Sequence, residues 1–120
     1  EEPMQVNSMS ESVRQFVIRA TQLVINNIDV TDFNINMLCQ EMAMSRTLFY
    51  SRLKSLTGKA PQEFIRIIRL QKAAELLKEG KNVTEVAVET GFVNTKYFSS
   101  LFKKQFGTQP SKYQQNDSSQ

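Results

Sequence analysis

The chain has 120 residues, 40% of them hydrophobic, which suffices for a buried core but for no more than one domain or two very small ones. A single cysteine, Cys39, and the absence of histidine exclude an internal disulfide framework and argue against a zinc site. No apolar run approaches the roughly 18 residues of a membrane span, and a formal net charge of +3 is only mildly basic.

In chain order, residues 1–8 are polar, carry Pro3 and read as a linker or tail. Ser8 with Glu11 forms a capping box that would open a first helix. Val13, Phe16, Val17, Ala20, Val24 and Ile28 then recur at helical spacing, and this helix should end near Asn27. Asn34 is a good N-cap for a short second helix over residues 35–43. Ser45 caps a third, over residues 46–57, stopped by Gly58. Its expected inner face is Phe49, Leu53 and Leu56, and its outer face Thr47, Tyr50, Ser51 and Lys54. Pro61 suits the first turn of a long fourth helix that runs to about Glu79, roughly 28 Å at 1.5 Å per residue. Phe64, Ile67, Leu70, Ala74 and Leu77 form one stripe on it, with Ile65, Ile68 and Leu76 on another side.

Asn82 with Glu85 forms a second capping box and opens a fifth helix, over residues 83–90, closed by Gly91. Asn94 caps a sixth, reaching Phe106. Phe98, Leu101 and Phe102 point one way from it, and Thr95, Lys96, Ser99, Ser100 and Lys103 the other. A helix with an aromatic underside and a small, polar, basic upper side suits a negative surface. On this stretch alone, an ordinary amphipathic surface helix fits equally well. Pro110 can start one last turn through Tyr113, and residues 114–120 are polar and expected to be disordered. No strand pattern occurs, so the expected class is all-α.

The two halves repeat. The segment Ser45–Lys54 lies over Asn94–Lys103, matching cap to cap, Phe49 to Phe98, Leu53 to Phe102 and Lys54 to Lys103. Upstream, residues 38–43 lie over residues 86–91, with Cys39 on Ala87, a small residue where two helices cross closely. The second turn is one residue longer, by Val93. Two helix-turn-helix units joined by a long helix are therefore expected. The charges support this. Residues 45–62 carry Arg46, Arg52, Lys54 and Lys59 without an acid, and residues 94–113 carry Lys96, Lys103, Lys104 and Lys112 without an acid. Two separate basic patches on a nearly neutral body suggest two contacts with a polyanion. Major-groove faces one DNA turn apart are about 34 Å apart, a separation that the fourth helix could set. The expected divisions are a tail at 1–8, an N-terminal helix and first unit at 9–60, a linker helix at 61–80, a second unit at 81–113 and a tail at 114–120.

The strings MSRTLFYSRLKSLTGKAPQEFIRIIRLQKAAELL and VTEVAVETGFVNTKYFSSLFKKQFGTQPSKY resemble the DNA-binding domain of the AraC/XylS family of bacterial transcription regulators. The preceding helix and the MSRTLFYSRLKSLTG segment resemble members fused to receiver domains in response regulators and hybrid two-component sensors. The resemblance implies sequence-specific double-stranded DNA binding, with the third and sixth helices in adjacent major grooves. By position it implies base contacts from Arg46, Thr47, Tyr50 and Ser51 in the first unit and from Thr95, Lys96, Ser99 and Ser100 in the second. Ser45, Arg52, Lys54, Asn94, Lys103 and Lys104 become phosphate candidates, with Asn94 also acting as a cap. The chain departs from the family at four positions. Ser51 and Ser100 stand where arginine is frequent, which moves weight from strong guanine readout to Thr47, Tyr50, Lys96 and DNA shape. Ala43 stands where a turn glycine is common, and Ala60 where a serine often caps the linker helix.

Other readings are weaker. Phe49, Phe92, Phe98, Phe102 and Phe106 could stack on single-stranded bases, but their inward spacing favours the core. Met37, Met42 and Met44 read as core filler, and Cys39 as buried rather than redox-active. An enzyme is not expected: there is no nucleophile with a base, no glycine-rich phosphate loop and no carboxylate pair. No cofactor or metal is expected. The segment reads as part of a longer cytoplasmic protein with a sensor or receiver domain upstream, through which any dimerisation would mainly run. RNA polymerase is a candidate second partner. The alternative function is a helical protein-interaction module touching a receiver domain or RNA polymerase.

Overall fold

The computed structural model describes residues 11–113, so the expected Ser8–Glu11 capping box and the two tails lie outside the described residues. Six helices follow in order: α1 (Glu11–Asn26), α2 (Ile35–Met42), α3 (Arg46–Thr57), α4 (Pro61–Lys78), α5 (Val83–Glu89) and α6 (Thr95–Phe106). A further helical turn begins at Pro110. All regular structure among the described residues is helical, and none of these helices is long and apolar enough to cross a membrane.

Each short helix starts where a side-chain oxygen can take an orphan amide. Asn34 accepts from the Met37 amide at 3.1 Å, Ser45 from Leu48 at 3.2 Å, Asn82 from Glu85 at 2.9 Å and Asn94 from Tyr97 at 3.0 Å. The exception is α4. Ala60 makes no side-chain cap there, and Pro61 at the first helical position removes one orphan donor instead.

Two apolar clusters share α4. The first collects Phe16, Ala20 and Val24 of α1, Phe33, Leu38, Cys39 and Met42 at α2, Phe49 and Leu53 of α3, and Phe64, Ile65 and Ile68 from the first half of α4. The second joins Leu70, Ala73, Ala74, Leu76 and Leu77 from the rest of α4 to Val86 and Ala87 of α5, then Phe92, Phe98 and Phe102. Phe92, Phe98, Phe102, Phe106 and Tyr113 form a chain of ring contacts with centroids 4.5–5.8 Å apart. The first cluster has one ring pair, Phe16 with Phe49 at 5.6 Å.

Three core expectations are corrected. Leu56 is 36% exposed, because it lies near the end of α3, beside a surface groove between α1 and α3. Met37 is 39% exposed, since it lies on the side of α2 opposite Leu38, Cys39 and Met42, which face the core. Ile67 is only half-buried: α4 changes partners near its middle, so no single stripe stays inside along its whole length.

Candidate nucleic-acid interface

The structure repeats at the level of turns. After α2, Met44 donates to the Cys39 carbonyl at 3.1 Å and Ala43 to Gln40 at 3.1 Å. After α5, Phe92 donates to Ala87 at 2.8 Å and Gly91 to Val88 at 3.0 Å. Both are Schellman closures whose key residue is left-handed, Ala43 at φ 57° and Gly91 at φ 87°. Cys39 and Ala87 are both buried, as close helix crossing requires, and burial pushes the Cys39 thiol up from its ordinary pKa. The second turn carries the additional Val93, which is 86% exposed.

These turns seat α3 and α6 alike. Phe49 and Leu53 on α3, and Phe98 and Phe102 on α6, have no exposed surface. The opposite faces point outward. Arg46, Thr47, Tyr50 and Ser51 are exposed and line one shallow depression along α3. Lys96 and Ser100 are exposed on α6, while Thr95 and Ser99 are half-buried. Among the phosphate candidates, Ser45, Arg52, Lys54, Asn94, Lys103 and Lys104 are all exposed. The Ser45 and Asn94 side chains are engaged as caps, and the Arg46 guanidinium donates to Asn36 at 3.3 Å. The Arg52 guanidinium lies 5.8 Å from the Phe16 ring centre. None of Lys54, Lys96, Lys103 or Lys104 has a carboxylate within ion-pair distance among the described residues. No described group of acidic or thiol side chains could hold a metal.

The geometry adds residues to these sets. Tyr97, 55% exposed, and Val93 stand beside the start of α6 and present apolar surface next to Lys96. Along the sequence Tyr97 was marked only by lying off the inward stripe, and Val93 only as the additional residue of the second turn. Arg69 is the larger surprise. It sits in the middle of α4 and is only 6% exposed. Its Nη1 donates to the Ile28 carbonyl at 2.7 Å and the Thr90 carbonyl at 2.8 Å, and its Nη2 to the Val30 carbonyl at 3.1 Å. Burial pulls its pKa below the ordinary value, yet an arginine stays charged at neutral pH. Nothing in the linear pattern marks it, because its partners are backbone atoms of two distant loops.

Comparison with known proteins agrees with this arrangement. A family profile described as a helix-turn-helix domain matches residues 38–116. The chain is 36% identical over 114 residues to histidine kinase P4 of Formosa agariphila, covering 94% of this chain and 8% of the kinase. It is 39% identical over 83 residues to the HTH-type transcriptional regulator MtrA of Neisseria gonorrhoeae, covering 68% of this chain and 28% of MtrA. Among solved structures, the DNA-binding domain of the global transcriptional factor AdpA, in complex with a target DNA, superposes with a TM-score of 0.74 at 28% identity, covering 83% of this chain and 90% of that one. With both turns, both outward faces and these relatives in place, the chain belongs to the AraC/XylS family of helix-turn-helix DNA-binding domains of transcription regulators, a type of domain that is not itself an enzyme.

Proposed function

We propose that α3 and α6 enter adjacent major-groove segments of one DNA duplex and read its sequence, and that this domain is the output end of a larger, signal-responsive cytoplasmic regulator. The observation that carries the reading is the repeated turn, which gives α3 and α6 the same buried side and leaves an outward, acid-free side on each. At 18 residues, α4 is about 27 Å long, close to the 34 Å between successive major-groove faces. The proposed divisions remain 9–60, 61–80 and 81–113, with tails at 1–8 and 114–120.

In this reading Arg46, Thr47, Tyr50 and Ser51 meet base edges from α3, and Thr95, Lys96, Ser99 and Ser100 from α6. Ser45, Arg52, Lys54, Asn94, Lys103 and Lys104 contact phosphates and set register. The kinase relative, of which this chain spans 8%, supports a sensor or receiver domain upstream. Selection of binding sites from random duplexes, followed by affinity measured against salt, tests the proposal. A preferred duplex and a steep loss of affinity with salt are expected. If no selected duplex bound above random DNA at low salt, the reading would fail. A second reading, a protein contact to a receiver domain or RNA polymerase, draws on Ile18 and Ile25 of α1, each 42% exposed. It predicts that charge substitutions there leave DNA affinity unchanged and alter the response of the whole regulator.

A further inference from the structure

A buried guanidinium usually meets a carboxylate. Arg69 meets three backbone carbonyls instead, and they belong to the two different halves of the molecule. Ile28 and Val30 lie in the connection between α1 and α2, at the first cluster. Thr90 ends α5 in the second unit. Arg69 itself lies where α4 passes from one cluster to the other, between Ile68 and Leu70. The two halves also approach each other directly at this point. A Cβ added to Gly91 would overlap the Arg69 Nη1 and lie 2.6 Å from the Ile28 carbonyl oxygen. Gly91 therefore needs both its left-handed backbone and its lack of a side chain.

Thr90 and Gly91 form the turn that leads through Phe92 and Val93 to the Asn94 cap of α6. What holds that turn sets the direction of α6. A helix of 12 residues is about 18 Å long, so a swing of about 10° at its start moves its far end about 3 Å, comparable to one base-pair step of about 3.4 Å. We propose that Arg69 is the positioning residue that fixes the second reading helix relative to the first, and thereby sets which half-site spacing the domain accepts. This rests on the reading that both helices engage one duplex. Nη1 joins the two halves by bonding Ile28 and Thr90 together, and Nη2 fixes the plane of the guanidinium on Val30; a lysine ammonium has no second nitrogen for Val30 and no plane to fix, so it holds the same carbonyls less rigidly.

The test uses the selected duplex, versions with the half-site spacing changed by one base pair either way, and one with the second half-site scrambled. Affinities are measured for the wild-type chain and for Arg69→Lys, with circular dichroism to confirm folding. The wild type should lose affinity on every altered duplex. Arg69→Lys should bind the original duplex about tenfold more weakly, match the wild type on the scrambled duplex, and show a flattened dependence on spacing, because a loosened link lowers the effective concentration of the second contact. An unchanged spacing profile in the folded variant would overturn the proposal, as would an equal loss on the original and scrambled duplexes. A wild type indifferent to scrambling would instead refute the two-helix reading. Should Arg69→Lys not fold, residual dipolar couplings of the wild-type domain decide: one alignment tensor for both units supports the grip, and two separate tensors overturn it.

Discussion

The two helix-turn-helix units share the same Schellman closure and seat α3 and α6 nearly alike, yet they treat one residue differently. Ala43 and Gly91 occupy equivalent left-handed positions. Ala43 is exposed, so its side chain costs only the intrinsic strain of that conformation, about 1–2 kcal/mol. Gly91 is crowded by Arg69 and by the Ile28 carbonyl, so no side chain fits. The same local fold thus tolerates a β-carbon where the turn faces solvent and forbids it where the turn meets the other half. The units also differ in what completes their cores. The first borrows α1, and the second closes on its own aromatic chain through Phe106 and Tyr113.

The largest test of this comparison is the pair Phe49→Ala and Phe98→Ala. Each removes a fully buried ring and is expected to cost about 3–5 kcal/mol by urea unfolding. The rings sit in separate clusters, so where the double variant remains folded the costs should add within about 0.5 kcal/mol. A strong departure from additivity would show that the halves do not pack separately. Gly91→Ala should cost about 3 kcal/mol or more, from overlap added to left-handed strain. An effect no larger than that of an exposed substitution would remove the asymmetry drawn above.

On the DNA side, Thr47→Ala or Tyr50→Ala should relax preference at a particular base by about 1–3 kcal/mol. Lys103→Ala should weaken all sequences alike and lower the salt slope by about 1. Quantitative site selection at two salt concentrations separates these outcomes. The smallest effects concern the two departures at helix ends. Ala60→Ser should stabilise the start of α4 by about 0.5–1 kcal/mol, since no side chain caps it now. Ala43→Gly should be stabilising by less than about 1 kcal/mol, the relief of strain being partly offset by a more flexible unfolded chain. A destabilising Ala43→Gly would mean that the alanine methyl contributes contacts beyond this account.

Much of this architecture was legible along the chain. Asn34, Ser45, Asn82 and Asn94 mark helix starts because each satisfies an amide only three residues away. Gly58 and Gly107 mark ends for an equally local reason, and the spacing of Phe49, Leu53, Phe98 and Phe102 shows which side turns inward. The outward faces of α3 and α6 follow from those inward stripes. The partial burial of Thr95 and Ser99, the exposure of Met37 and the half-burial of Ile67 did not follow, because each depends on which neighbouring element covers that point. Arg69 is the clearest case. A charged residue in the middle of a helix reads as a solvated one, and only the meeting of two loops, 39 and 21 residues away along the chain, makes it the buried link between the halves. Local hydrogen-bond geometry and periodic burial act over a few residues and are written in the sequence. The relation between α3 and α6 acts across the fold, through backbone carbonyls that carry no side-chain signature, and it was decided only when the chain packed.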